Sequence, residues 1–239
     1  MNTTRATRPI PIALTALVAF FSALVALAVA NGHDAHAHGS QQRHATASGA
    51  APRSSAATIT RGELALRRDM RQLWEDHIVW TRLAIISLTT GSPDAEATVA
   101  RLLKNQTDIG DAVKPFYGKA AGNELTRQLE QHILVAADVI AAAKAGDEAK
   151  LADAQTRWAR NGDDIAKVLN SVNPRYWRLA AMKAELRMHL KLTTDEAVAR
   201  LTGNWAADVA AYDKIHRHAL HISDLLSTGI VGQFPKRFR

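Results

Sequence analysis

Residues 193–228 read TTDEAVARLTGNWAADVAAYDKIHRHALHISDLLST. Thr193 followed three residues later by Glu196 is a capping-box pattern, in which hydroxyl and carboxylate satisfy the first free amides of a helix. Behind it Val198, Leu201, Trp205, Tyr212, Ile215, Ala219, Ile222 and Leu226 recur every three or four residues. That is the stripe of a long amphipathic helix, and Gly229 stands where such a helix stops. Asp208 falls on the stripe where the period asks for an apolar side chain, and a buried charge there requires a partner.

The same period runs upstream. Leu66, Met70, Leu73, His77, Trp80, Ala84 and Leu88 predict a helix over 61–90, closed by Gly91. Ser92-Pro93-Asp94 starts the next, which is expected to break near 105–107 and to continue as a shorter piece to Gly118. Asn123 caps a helix lined by Leu125, Leu129, His132, Ala136, Val139 and Ala143, and Gly146-Asp147 ends it and starts another. That one carries Leu151, Ala154, Trp158, Ile165 and Val168 as far as Asn173-Pro174. A further segment over 174–192 aligns Leu179, Met182, Leu186 and His189. The five tryptophans fall at helical spacing and read as packing anchors. No alternating run or hairpin dipeptide interrupts the pattern. The expected fold is therefore all-α: an up-and-down bundle of five to seven segments built on about four long helices over residues 61–235. Lys236, Arg237 and Arg239 form a basic tail over 236–239.

Residues 1–30 have the pattern of an export signal: Arg5 and Arg8, an apolar run, then Ala28-Val29-Ala30. An uncleaved anchor is the alternative, and only that version puts the protein on a membrane. Either version places the domain outside the cytoplasmic membrane. Residues 31–60 are rich in Ala, Ser, Gly and His and lack the large apolar residues needed to offset ordering entropy, so a disordered linker is expected. Its His33, His36, His38 and His44 could hold Cu or Zn loosely, or be mere composition. The chain has no cysteine, which rules out disulfides, thiolate metal sites and a cysteine nucleophile. From Arg61 onward 26 Lys and Arg face 22 Asp and Glu, mixed along every helix. That is a solvated surface, and no nucleic-acid partner is expected. No glycine-rich phosphate loop joins a strand to a helix, so no nucleotide is expected either.

What chemistry the chain offers lies on the stripes. The period turns His77, His132, His189 and Asp208 inward from four helices, which is how bundles build metal and ligand sites. Three imidazoles and a carboxylate suit Zn, or Fe, Mn or Cu, with Glu75, Asp164, Asp213 and His216 as groups able to orient the ligands. The competing reading is a hydrogen-bonded polar core that fixes helix register, with Thr81, Asn161, Asp164 and Tyr212 as partners. A di-iron site would need Glu-x-x-His on two helices, and Asp213-x-x-His216 is the nearest match. His218, His221 and Asp224 fall off the main stripe and are expected at the surface. No catalysis is assigned. The expected function is an exported bundle that binds a metal ion or small ligand in its core; the alternative is a structural or interaction module with another envelope protein as partner.

The runs LWEDHIVWTRLAIISL (73–88), LLKNQTDIGDAVKPFYG (102–118), QHILVAADVIAAAKAGD (131–147), NGDDIAKVLNSVNP (161–174) and DVAAYDKIHRHALHISDLLSTGIVGQFP (208–235) resemble a group of small uncharacterised bacterial helical proteins. Some members carry the label acetylglutamate kinase or glycosyltransferase. The resemblance implies the helical domain and no particular activity. An amino-acid kinase would need a nucleotide-binding α/β sheet with glycine-rich turns, for which the sequence pattern offers no strand.

Overall fold

The computed structural model describes residues 59–239, so the export signal and nearly all of the linker expected from sequence lie outside the described residues. Five α-helices follow one another: α1 Arg61–Thr90, α2 Ala95–Ala145, α3 Glu148–Val172, α4 Leu179–Leu201 and α5 Trp205–Gln233, then a 3-10 turn Pro235–Phe238. No strand occurs among the described residues, and no helix there is long and apolar enough to cross a membrane.

Local chemistry sets most of these ends. Thr60 accepts from the Glu63 amide at the start of α1, and Gly91 closes it at φ 71° with its amide on the Ser87 carbonyl. Asp147 accepts from the Lys150 amide to open α3. The bounds of α1 and α3 follow the sequence expectation closely.

The helix α2 departs from it. No break occurs at 105–107; Asn105 and Gln106 are helical and fully buried. The interruption is at Gly118, whose φ of 85° and ψ of 167° suit only glycine. Asn123 is an exposed residue inside the second arm rather than a cap. The two arms fold back on each other, so that Thr107 meets Glu130 and Gly110 faces Gly122. A Cβ on either of these glycines would come 2.7 Å from the other's carbonyl oxygen, and this close approach is what the small residues permit.

The stretch 193–228 also folds differently. Thr193 does not cap a helix; it lies inside α4 and turns its hydroxyl onto the His189 carbonyl, while Glu196 is buried in the helix interior. The true boundary is 202–204, where Asn204 accepts from the Ala207 amide and starts α5. Gly229 does not stop α5. It is a helical residue against which the Trp177 indole packs, and a Cβ there would stand 2.0 Å from the indole nitrogen.

Counting the two arms of α2 separately, six rods run alternately up and down, and α5 closes the set by packing on both α4 and α1. The larger core gathers Met70, Trp74, Ile78, Ile109, Trp177 and Ile215. A second, around Val139, Leu151, Trp158 and Leu190, fills the end between α2, α3 and α4. Trp205 belongs to neither: it is 59% exposed, contrary to its expected place on the stripe.

Candidate functional site

Three of the four expected site residues meet. His77 from α1, His132 from the second arm of α2 and His189 from α4 are all buried at mid-height in the bundle. The His189 ring lies 5.8 Å from each of the other two, centroid to centroid, with Trp74 against His77 and Trp158 against His132. Their partners are neutral amides. Asn161 donates to both the backbone and side-chain oxygens of Gln128, at 3.0 and 3.1 Å, so its own oxygen faces His132 Nδ1 at 2.9 Å and accepts a hydrogen bond from it. The Gln106 amide nitrogen lies 3.2 Å from His77 Nδ1 and also reaches the Leu102 carbonyl, while Asn105 donates to the Leu73 carbonyl. His189 Nδ1 has no hydrogen-bond partner in the protein.

Burial dominates the electrostatics of this layer. It pushes His77 and His132 down to about 4, with the His132 imidazole adding to the effect on His77. His189 is pushed well below the ordinary 6.5, first by burial and then by the neighbouring imidazoles. All three rings are neutral at pH 7. A partly buried fourth ring, His218, lies 6.3 Å from His189 and donates to the Glu185 carbonyl; the exposed His221 follows at another 6.3 Å.

Asp208 is buried as expected, at 1% side-chain exposure, but its partners are not the histidines. Arg82 grips both of its oxygens, Arg200 adds a bond of 3.1 Å, and Arg82 also holds Glu196 at 2.8 Å. Burial disfavours ionisation of Asp208, yet the two arginines outweigh it and hold the carboxyl below its usual range. Glu196 is pushed up by burial despite Arg82. Tyr212 lies under the Arg82 guanidinium, 5.2 Å away, with the His216 ring 5.8 Å from its own rather than any of the three layer histidines. The four-ligand set expected from sequence is therefore not assembled. Among the described residues no three histidines, aspartates or glutamates form a group that could hold a metal ion. The residues expected to orient ligands are also elsewhere: Glu75 binds His216 at 2.8 Å, Asp164 pairs with Lys167, and Asp213 is exposed.

Directly beyond the histidine layer lies a pocket of about 50 Å³ with almost wholly apolar walls. Thr81, Ala136 and Thr193, each one helical turn after a histidine, belong to its lining together with Trp158. Above them Ile85, Ile140 and Ala197 continue the wall. Thr81 is 91% buried and its hydroxyl has no hydrogen-bond partner in the protein, unlike those of Thr193 and Thr194, which turn back onto helix carbonyls.

Sequence reasoning named Asn161 as a histidine partner and missed Gln106, Asn105 and Gln128. The two on the first arm were hidden inside the expected break. It also missed Arg82, Arg200 and Glu196. An aspartate on an apolar stripe signals a cation nearby, but its position on another helix follows only from the bundle's register. The fold and these sites define an all-α bundle with a neutral polar layer, an adjoining apolar pocket and a separate charged network. Comparisons with protein families, curated proteins and solved structures find no match to this chain.

Proposed function

We propose that this is a non-catalytic binding protein, exported across the cytoplasmic membrane, that holds a small molecule inside its helical bundle. The observation that carries the proposal is the apolar pocket set one turn beyond three neutral, buried imidazoles. Well-packed interiors keep few voids larger than a water molecule, because each forfeits dispersion contacts. A small molecule is preferred to a metal ion because no donor set converges among the described residues. Export rests on the charged, apolar and A-x-A pattern of residues 1–30.

A second reading, a structural or interaction module with an envelope protein as partner, is favoured by one observation. The hydrogen bonds that the Asn161 amide donates to Gln128 and the Asn105 amide to Leu73 tie neighbouring rods together and fix their register. Ala84→Leu, which fills the pocket, separates the two. Crystals of wild type held under xenon pressure should take up xenon between Ile85, Ile140 and Trp158, and crystals of the variant should take up none. If wild type takes up no xenon there, the architectural reading stands instead. Mass spectrometry of the mature protein should place its N-terminus near Asn31 or His38; a chain still beginning at Met1 would make the leader an anchor.

A further inference from the structure

The six rods are three helical hairpins with matching parts: α1 with the first arm of α2, the second arm of α2 with α3, and α4 with α5. Each has its buried histidine, His77, His132 or His189. At one fixed interval beyond it, a glycine of positive φ marks the turn that ends the first rod: Gly91, Gly146 or Gly203. In each hairpin a side chain of the returning rod donates to the carbonyl one turn before the histidine. Asn105 reaches Leu73 at 3.0 Å, Asn161 reaches Gln128 at 3.0 Å and His218 reaches Glu185 at 3.1 Å. One turn further on, Ile109, Ile165 and Ile222 are all buried. The third hairpin differs in having an imidazole where the other two have an amide. We propose that this hairpin, α4 with α5, is the part of the bundle that comes away in mild acid, and that a proton on His218 releases it.

Asn161 holds its carbonyl with the amide nitrogen and accepts from His132 with the amide oxygen. His218 holds its carbonyl with Nε2, and His189 Nδ1 is left without a hydrogen-bond partner in the protein. Asparagine also stays neutral at every pH, whereas His218 Nδ1 can take a proton. The side chain is 11% exposed, too little to hydrate a cation. The groups around it do not compensate. From α4 the Glu185 carboxylate lies 3.8 Å from Nδ1, beyond hydrogen-bond reach, and it is shared with the exposed His221 of α5 at 3.6 Å. His189, also on α4, is a neutral ring 6.3 Å away. The helix α1, which packs on α5 as well, turns Glu75 to His216 and Arg71 to Asp224 instead. Burial accordingly pushes His218 below the ordinary 6.5, with His221 adding to it, against the pull of the Glu185 carbonyl and carboxylate. A detached His218 binds the proton more readily than a docked one. The hairpin's hold is therefore complete above the ordinary value and is lost as pH falls through the lower folded one. Because α4 supplies Thr193, Thr194 and Ala197 to the apolar pocket, its release opens that pocket to solvent.

The test is amide hydrogen exchange on the whole chain at pH 7.5 and 5.5, read by peptide mass spectrometry and corrected for the intrinsic exchange rate. Peptides from 182–192 and 211–222 should lose protection about tenfold more than peptides from α3 at the lower pH, the mark of a local opening. His218→Asn installs the side chain that the other two hairpins carry. It should fold, hold the Glu185 carbonyl, give His189 Nδ1 an acceptor, and abolish the difference between α4–α5 and α3. His221→Asn, at the exposed outer position, should keep the difference. If the α4–α5 peptides of His218→Asn still lose protection ahead of α3, or if His221→Asn alone removes the difference, His218 is not the trigger. Equal loss along every rod of wild type overturns the separable hairpin itself. If His218→Asn is unfolded at pH 7.5, the three hairpins are not equivalent and the proposal falls with them.

Discussion

Two polar groups of residues are buried in one bundle, and they are tolerated for opposite reasons. The histidine layer is neutral: His77, His132 and His189 lie among amides, and no carboxylate figures among the groups that shift them. The network of Arg82, Glu196, Arg200 and Asp208 sets two guanidinium groups against two carboxyl groups; the arginines hold Asp208 below its usual range, while burial pulls Glu196 upward. Its carboxylates are at 1% exposure while the arginines keep 16% and 19%, so the guanidinium ends stay partly hydrated and the acids are the sealed members. Burial without charge and burial with matched charge should respond differently to pH and to substitution.

Acid gives the largest expected difference. His77 and His132 titrate near 6.5 when unfolded and near 4 when folded, so below pH 6.5 the unfolded chain binds more protons. Stability is complete above that value and is lost as pH falls from 6.5 to 4, by about 3 kcal/mol for each ring. Two such terms, about 6 kcal/mol, rival the whole stability of an ordinary domain. Asp208 behaves otherwise: its lowered folded value means that its contribution persists until pH drops below the normal carboxylate range. Glu196 has the opposite sign, since its raised value favours the folded state below its unfolded value and is lost as pH rises through the folded one. Urea midpoints at pH 7.5, 5.5 and 4.5 should fall steeply in wild type and less steeply in His77→Gln. An equally steep fall in the variant would mean that His77 does not carry the acid limb.

Arg82→Met should come next. It leaves Glu196 buried without a cation and Asp208 with Arg200 alone, and removing one partner of a buried pair costs about 3–5 kcal/mol. The loss should already be present at pH 7.5, where the histidine layer is silent. A cost below about 1 kcal/mol would place the network among solvated surface pairs and erase the contrast. Asn161→Leu is smaller still, about 1–3 kcal/mol, because it leaves the His132 ring N–H and the Gln128 side-chain oxygen without the partner they have here. His132 should then become harder to protect in its present tautomer, and the NMR shift of its ring nitrogens is the readout.

How far the sequence spoke depended on whether a feature was periodic or a matter of register between rods. The inward direction of His77, His132, His189 and Asp208 followed from threes and fours along each helix, and all four are buried. Which of them would meet did not follow. The capping-box pattern divides the helices of His189 and Asp208 near residue 193, whereas the division lies at 202–204 and puts Glu196 and Arg200 on the helix of His189. Thr193-x-x-Glu196 matches a cap in isolation, but the preceding residues are equally good helix formers, so nothing local forces an end there. The break expected near 105–107 does not occur, because the Asn105 and Gln106 amides are buried and serve the neighbouring rod α1 instead. Gly118 was a recognisable stop, yet the fold-back that brings Gly110 to Gly122 has no local signature.

Trp205 gives the smallest effect and the finest test of the boundary between the two regions. On the helical period it belongs to the core, where truncating a tryptophan costs about 3–5 kcal/mol. In the structure it is 59% exposed, one residue past the cap of α5, and its ring carries the Arg200 guanidinium 4.9 Å from the centroid. At an exposed site such a contact contributes about 0.5–1 kcal/mol. Trp205→Ala should therefore lower stability by no more than that, through Arg200 alone, since the stacked ring helps hold the guanidinium where it meets Asp208. In an Arg200→Met background the same truncation should cost nothing measurable. A double-mutant cycle on urea unfolding reads this coupling directly. If Trp205→Ala costs several kcal/mol in either background, the start of α5 is buried against the bundle, and the stripe read from residues 193–228 was right about that residue after all.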